Sequence, residues 1–116
     1  MRRRGGNWQP CGAITARLVW TPLARVDAKK IYVAIGRDQP ESAERFFARF
    51  REKAERLAMH PRLGERRPEI FRSARMLVEA PYVILYETFP DTDDGEVHTV
   101  EIVRVLDGRR DLKALF

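Results

Sequence analysis

The sequence contains few of the residues on which covalent and metal-based chemistry depends. Its 116 residues include a single cysteine, Cys11, which excludes an internal disulfide, and two histidines, His60 and His98. His, Cys and Asp residues nowhere have the spacing of metal ligands, and the chain has no glycine-rich phosphate loop. We interpret Cys11 as an incidental thiol, because no signature of a cysteine nucleophile accompanies it. The sequence therefore predicts neither a metal nor a cofactor.

Long apolar runs are also missing from the chain. No stretch approaches the roughly 20 apolar residues that a membrane-spanning helix needs. Residues 1–4 are basic like the start of a signal peptide, but residues 5–10 are polar where its apolar core should be. We therefore expect a cytoplasmic protein with a flexible N-terminal arm at residues 1–12 and a single folded domain at residues 13–116.

Basic residues outnumber acidic ones, and the two charges concentrate in different segments. The formal net charge is +5, and the isoelectric point lies near 9.9. Basic residues cluster at residues 2–4, 62–67 and 104–110, whereas the acidic residues gather at residues 91–96. This excess of basic residues favours anionic partners. It is compatible with binding to nucleic acid, with binding to an acidic protein segment, and with a role in solubility alone.

The first part of the expected domain has the pattern of a strand followed by a helix. Residues 13–20 have the apolar content of a strand. Thr21 and Pro22 then favour a helix start, because threonine caps the first turn and proline tolerates its first position. The apolar face of this helix, which ends near Gly36, comprises Ala24, Ala28, Ile31, Tyr32 and Ile35.

The second helix has the strongest periodicity in the sequence. It begins at Pro40, with Glu41 and Glu44 in a first turn that favours carboxylates. Its apolar residues follow one stripe with three- and four-residue spacing: Ala43, Phe46, Phe47, Phe50, Ala54, Leu57 and Ala58. The connection at residues 37–39 is short enough to require an antiparallel helix hairpin.

Strand-like segments fill most of the remaining sequence. We predict strands at residues 69–78, 82–89 and 97–106, with a long acidic hairpin turn at residues 90–96. Residues 109–116 could form one helical turn or a docked tail. The fold class is therefore α+β, with a helix hairpin packed on a small, mainly antiparallel β-sheet in the order β-α-α-β-β-β.

The pattern from residue 20 to residue 116 resembles the ParE branch of the RelE/ParE toxin superfamily. The helices carry matching residues at Thr21, Pro22, Ala24, Asp27, Ile31, Tyr32, Pro40, Ala43, Phe46, Leu57, Ala58, Pro61 and Gly64. The strands and tail match at Arg75, the 82–86 segment, Ile102, Arg104, Val105, Gly108, Arg110, Asp111 and Leu112. Two features differ: Asp107 stands where many relatives carry histidine, and the 91–96 turn is longer than usual.

The resemblance implies the toxin half of a type II toxin–antitoxin system. Toxins of this branch inhibit DNA gyrase by binding and are neutralised by a cognate antitoxin, so the resemblance implies no catalytic residue. It suggests a target-binding surface at Arg104, Arg109, Arg110, Leu112 and Phe116. It also suggests antitoxin contacts at Ile31, Ile35, Arg75 and Tyr86, where an acidic, amphipathic segment would lie along the hairpin and sheet.

Two other functions stay open at this point. The RelE-type toxins cut messenger RNA on the ribosome with acid–base residues, commonly including a Tyr or His near the C-terminus. This chain has no tyrosine after Tyr86 and only His98 as a later histidine, so the expected acid is missing. A basic nucleic-acid-binding module using residues 2–4 is the third possibility, although direct binding to nucleic acid is the less favoured one.

Structural roles compete with functional ones for several of these residues. Arg75 and Arg104 could be buried arginines satisfied by Glu101, Glu87 or backbone carbonyls. Tyr82 and Tyr86 have the pattern of core residues, and Arg109 and Arg110 could belong to a solvated tail. His60, at a helix end, has its ordinary interpretation as a residue that interacts with the helix dipole.

Overall fold

The computed structural model describes residues 15–116, so the arm predicted at residues 1–12 and the first two residues of the expected domain lie outside the described residues. Two helices and five strands occur in this part of the chain. In order, they are β1 (Arg17–Trp20), α1 (Pro22–Gly36), α2 (Pro40–Met59), β2 (Glu65–Arg66), β3 (Arg75–Glu79), β4 (Tyr82–Phe89) and β5 (Thr99–Asp107), followed by a 3₁₀ helix (Leu112–Leu115). Neither α-helix combines the length and apolarity needed to cross a membrane.

The strands form one mixed sheet in the order β1-β5-β4-β3-β2. β1 runs parallel to β5, and the other neighbours are antiparallel. The helix hairpin follows β1 and packs on one face of this sheet. The predicted α+β class and mainly antiparallel sheet are therefore confirmed, with the two-residue strand β2 as an unexpected addition.

The strand predicted at residues 69–78 is wrong in its first half. Only Arg75–Glu79 pairs as a strand, and the residues before it form turns closed by hydrogen bonds from the Ile70 N–H to the Arg67 carbonyl (3.0 Å) and from the Ala74 N–H to the Phe71 carbonyl (2.9 Å). Ile70 and Ala74 are nevertheless buried. The apolar residues that suggested a strand are buried by side-chain packing, which does not require a hydrogen-bonded ladder.

The two helices begin and end close to the predicted positions. The Thr21 hydroxyl accepts a hydrogen bond from the Ala24 N–H at 3.0 Å, and Pro22 occupies the first helical position. The α2 stripe is buried as expected except at Phe47, which is partly exposed and packs edge-on against Tyr32 of α1, with ring centroids 5.5 Å apart. This contact adds to the packing of the helix hairpin.

The sheet has an apolar core on each face. Alternation along β4 sends Ile84 and Tyr86 towards the helices, and Val83 and Leu85 towards the opposite face. On the helix side they meet the α2 phenylalanines. On the far side they are covered by the turns before β3 and by the tail, through Ile70, Ala74, Phe71, Leu112 and Leu115. The tail is therefore part of the packing of the far face.

Candidate functional site

Arg104, predicted to contact the target, forms an ion pair between the sheet and α1. Its Nε and Nη2 donate to the two carboxylate oxygens of Asp27 at 2.6 and 3.0 Å. The same Asp27 carboxylate accepts the Val105 N–H at 3.1 Å, and its side chain is 9% exposed. Donation of these hydrogen bonds to the Asp27 carboxylate raises the pKa of the Arg104 guanidinium above its usual range. Arg104 therefore joins α1 to β5 and has little free surface.

The prediction that Glu101 or Glu87 neutralises Arg104 was wrong. Neither Glu101 nor Glu87 pairs with Arg104, and Glu87 instead accepts a hydrogen bond from the Ser73 hydroxyl at 2.5 Å. The partner is Asp27, which lies 77 residues earlier in the chain. Asp27 is one of the residues that carry the family resemblance, but the sequence did not predict its ion pair with Arg104. This pair depends on how α1 crosses the sheet.

Arg109 and Arg110 are exposed at the end of β5, where the target surface was predicted. Arg109 folds back on Asp107, with its Nε and Nη2 at 2.9 and 2.6 Å from the carboxylate oxygens. Hydrogen bonds from the Arg109 side chain and backbone lower the pKa of Asp107 to about 2. Asp107 therefore holds Arg109 at neutral pH, while the Arg110 side chain remains open to solvent.

The tail that follows the two arginines is docked through apolar side chains. Leu112 and Leu115 are half-buried on the far face of the sheet. The Phe116 ring lies 4.9 Å from the Phe71 ring and stays half-exposed. The tail that follows Arg109 and Arg110 is therefore held by packing and ends in a half-exposed aromatic ring.

Arg75 and Tyr86, two of the predicted antitoxin contacts, are enclosed in the interior. Tyr86 is fully buried, and its hydroxyl donates to the Pro61 carbonyl at 2.8 Å and accepts the Gly64 N–H at 2.7 Å. Burial raises the pKa of this phenol. Gly64 is required here, because a Cβ would lie 2.6 Å from the Tyr86 ring. Arg75 donates to the Gly64 carbonyl at 3.2 Å.

Ile31 and Ile35, the other two predicted antitoxin contacts, are half-buried on α1 and pack against the core under the helices. An open groove of about 530 Å³ lies between the end of β1 and the two helices. It is lined by Trp20, Arg25, Ala28, Lys29, Tyr32, Glu44, Phe47 and Arg51. We call this the hairpin groove; it was not recognised from the sequence, because its aromatic residues come from three separate elements.

The tyrosines and His98 are candidates for proton exchange. The three tyrosines of the chain are Tyr32, Tyr82 and Tyr86. Tyr32 donates to Glu44, which raises the pKa of the phenol, and Tyr82 packs edge-on against Phe46 with ring centroids 5.0 Å apart. His98 lies 3.2 Å from Glu96 in the acidic turn. None of these groups is hydrogen-bonded to the exposed arginines of the tail in the described part of the chain.

Comparison with known proteins finds a matching family model, a similar toxin sequence and a similar solved structure. A family model described as the ParE toxin of type II toxin–antitoxin systems, parDE, matches residues 18–112. Toxin RelE2 of Caulobacter vibrioides is 36% identical over 87 residues, which cover 75% of this chain and 92% of the relative. A chain from the chromosomal ParDE system of P. aeruginosa has a similar fold, with a TM-score of 0.64 at 21% identity over 82% of this chain and 98% of the other.

Proposed function

This chain belongs to the ParE toxin family of type II toxin–antitoxin systems, and from this membership we propose that it inhibits DNA gyrase by binding and is neutralised by a cognate antitoxin. We place the toxin domain at residues 13–116 and the protein in the cytoplasm, where gyrase acts. Inhibition by binding requires an accessible surface but no proton transfer.

Tyr86 and Arg104 both make structural contacts within the fold, and this observation supports inhibition by binding over catalysis. A ribonuclease needs an acid and a base beside the phosphate that it cleaves. Tyr86 is fully buried with its hydroxyl bonded to the backbone, and Arg104 is held by Asp27. Tyr32 donates to Glu44, and His98 lies beside Glu96 in the acidic turn.

The exposed end of β5 and the docked tail are our proposed gyrase-binding surface. Arg109 and Arg110 supply positive charge, and Leu112 and Phe116 supply apolar area on the tail that follows them. Aromatic rings and arginines are the residues that most often dominate binding energy at interfaces. Arg104, because it is held by Asp27, would support this surface by positioning β5.

A ribosome-dependent endoribonuclease of the RelE type is the second candidate function. It is favoured by one observation, the name of the relative Toxin RelE2, which is 36% identical to this chain. The exposed Arg109 and Arg110 would then bind RNA phosphate in place of a protein surface. The two functions differ in what the toxin stops, so parallel assays separate them.

We expect the Arg109→Ala/Arg110→Ala double variant to weaken gyrase inhibition by at least roughly tenfold while leaving the fold intact, because charged residues at an interface contribute on this scale. Substitutions of exposed residues usually change the free energy of unfolding by less than about 0.5 kcal/mol. Purified toxin and variant are titrated into a gyrase supercoiling assay and, in parallel, incubated with ribosome-bound messenger RNA.

A surface control is Arg56→Ala on the outward face of α2, which removes one exposed arginine whose ion pair in the described part of the chain is with Glu52. It should inhibit gyrase as well as the unaltered toxin. Cleavage of ribosome-bound messenger RNA with unaffected supercoiling would reject the gyrase proposal and favour the ribonuclease.

The hairpin groove is our proposed docking site for the antitoxin. Its walls are aromatic, from Trp20, Tyr32 and Phe47, and its cationic groups come from Arg25, Lys29 and Arg51. The Arg51 guanidinium lies 5.5 Å from the centre of the Phe47 ring. An acidic, amphipathic segment could place apolar side chains in this groove, next to Ile31 and Ile35, and carboxylates on its rim. Arg75 and Tyr86, the other two predicted antitoxin contacts, do not line this groove and are not part of the proposed docking site.

We expect the Lys29→Glu/Arg51→Glu variant to bind its antitoxin at least about tenfold more weakly, because like charges at an interface cost several kcal/mol. Binding of the antitoxin, produced from the reading frame that adjoins the toxin gene, is measured by calorimetry at two salt concentrations. The control Arg72→Glu reverses an exposed charge in the turns that cover the opposite face of the sheet. The control makes one charge reversal and the double variant makes two. A control that loses about half as much binding free energy as the double variant would mean that overall charge, rather than the groove, governs antitoxin binding.

A further inference from the structure

A second group of arginines converges on the acidic turn between β4 and β5. It consists of Arg62 from the loop after α2, Arg66 from β2 and Arg75 from β3, and we call it the arginine cluster. The Arg62 side chain binds the backbone of the turn, because its guanidinium donates to the carbonyls of Thr92 and Gly95 at 3.0 Å each. The arginines are 18 to 33 residues from their partners in the turn, and the strand order β4-β3-β2 brings the two segments together.

Arg75 is the most buried member of the arginine cluster. Its side chain is 6% exposed, and its Nη1 donates to the Gly64 carbonyl at 3.2 Å. Its Nε is buried and has no hydrogen-bond partner within residues 15–116. A buried guanidinium has five N–H donors and is stabilised when acceptors satisfy them. Arg75 therefore keeps unused donor capacity next to the turn.

The anionic partner of Arg75 comes from an exposed side chain. One carboxylate oxygen of Asp93 lies 3.3 Å from Arg75 Nη2 and 2.7 Å from Arg66 Nε, although the Asp93 side chain is 80% exposed. Arg66 also bonds Asp91 at 3.0 Å. The bond from Arg66 lowers the pKa of Asp93, which keeps this carboxylate charged. An exposed aspartate thus neutralises a cationic site that continues into the protein interior.

We propose that the arginine cluster is a phosphate-binding site and that Asp93 occupies it as an intramolecular substitute for the phosphate. The Asp93 carboxylate engages one donor of Arg66 and one of Arg75 through a single oxygen. A phosphate presents more acceptor oxygens and up to twice the negative charge, and arginine forks match this geometry closely. Phosphate could therefore also satisfy donors of the cluster that Asp93 leaves unused.

The site is separate from both surfaces proposed for the toxin activity. The tail arginines lie at the end of β5, and the hairpin groove lies between β1 and the helices, whereas the cluster is at the β2 edge of the sheet. The turn that carries Asp93 joins β4 to β5 outside the hydrogen-bonded ladder, so displacement of the Asp93 side chain breaks no hydrogen bond between the two strands. Exchange of Asp93 for an external phosphate therefore leaves the sheet unchanged.

The test uses Asp93→Asn, which removes the negative charge and keeps the size of the side chain. Inorganic phosphate and a short single-stranded RNA without terminal phosphates are titrated separately into the full-length toxin and followed by amide NMR shifts. We expect the variant to bind phosphate at least roughly tenfold more tightly than the unaltered toxin, because one charge-assisted competitor has been removed. Shifts should appear at the amides of Arg66 and Arg75.

Asp94→Asn is the matched control, since it removes an equal charge from the same turn at a side chain that none of the three arginines contacts. It should not tighten binding. Adding Arg66→Ala to Asp93→Asn should abolish the gain, and this variant keeps the buried Arg75. A gain with inorganic phosphate supports a general phosphate site, and a gain with RNA alone supports a phosphodiester site. Equal binding by Asp93→Asn and Asp94→Asn in both titrations would overturn the proposal.

Discussion

Replacing Phe50 by alanine is expected to lower the free energy of unfolding by about 3 to 5 kcal/mol, the range for a large aromatic side chain removed from a packed core. Phe50 is 1% exposed, and its ring centre lies 5.4 Å from that of Trp20 and 5.9 Å from that of Phe46. The substitution removes transfer energy and leaves a cavity between α2 and the sheet. Urea unfolding followed by circular dichroism measures the change.

A control for this substitution is available on the surface of the same fold. Phe89, at the end of β4, is 46% exposed, so Phe89→Ala removes an equal volume with little cavity. We expect it to cost less than about 1 kcal/mol. If Phe50→Ala were as mild as Phe89→Ala, the packing of α2 against the sheet would be wrong.

Replacing Asp27 by alanine is expected to destabilise the protein by about 3 kcal/mol, because it leaves the Arg104 guanidinium and the Val105 N–H without their shared acceptor. The two side chains of the ion pair are 9% and 18% exposed, so water only partly compensates for the loss. The measurement is again urea unfolding, with melting temperature as a second readout.

A double-mutant cycle identifies the ion pair as the cause. Each single variant leaves the charge of the other side chain unpaired, whereas the double variant removes both charges. We therefore expect Asp27→Ala/Arg104→Ala to be less destabilising than the sum of the two single variants. Glu52→Ala, which breaks an exposed pair with Arg56 on α2, should change stability by less than about 0.5 kcal/mol. Strict additivity of the Asp27 and Arg104 effects would refute their coupling.

This stability role determines how Arg104 can be tested as a target contact. A variant that loses Arg104 is expected to lose inhibition through a weakened fold, even without any direct contact with the target. Arg109 and Arg110 lack this complication, since both are exposed and, within residues 15–116, the ion pair of Arg109 is with Asp107. The tail arginines therefore provide the cleaner test of gyrase binding.

The sequence by itself determined the features that depend on short spacing. The cap at Thr21, the start at Pro40 and the α2 stripe containing Phe46 and Phe50 follow from interactions within a few residues, and the structure confirms them. The order of helices and strands followed for the same reason. The strand predicted for the segment before β3 was wrong, because its apolar residues are buried in turns. A pattern of apolar residues does not distinguish burial from strand pairing.

Only the tertiary structure decided which charges meet. Asp27 reaches Arg104 across 77 residues, and Asp93 reaches Arg75 across 18, through the packing of α1 on β5 and the position of the turn after β4. The hairpin groove likewise needs Trp20, Tyr32 and Phe47 from three elements. Helical periodicity reports neighbours along one element, whereas an ion pair or a groove depends on the relative placement of several elements in space.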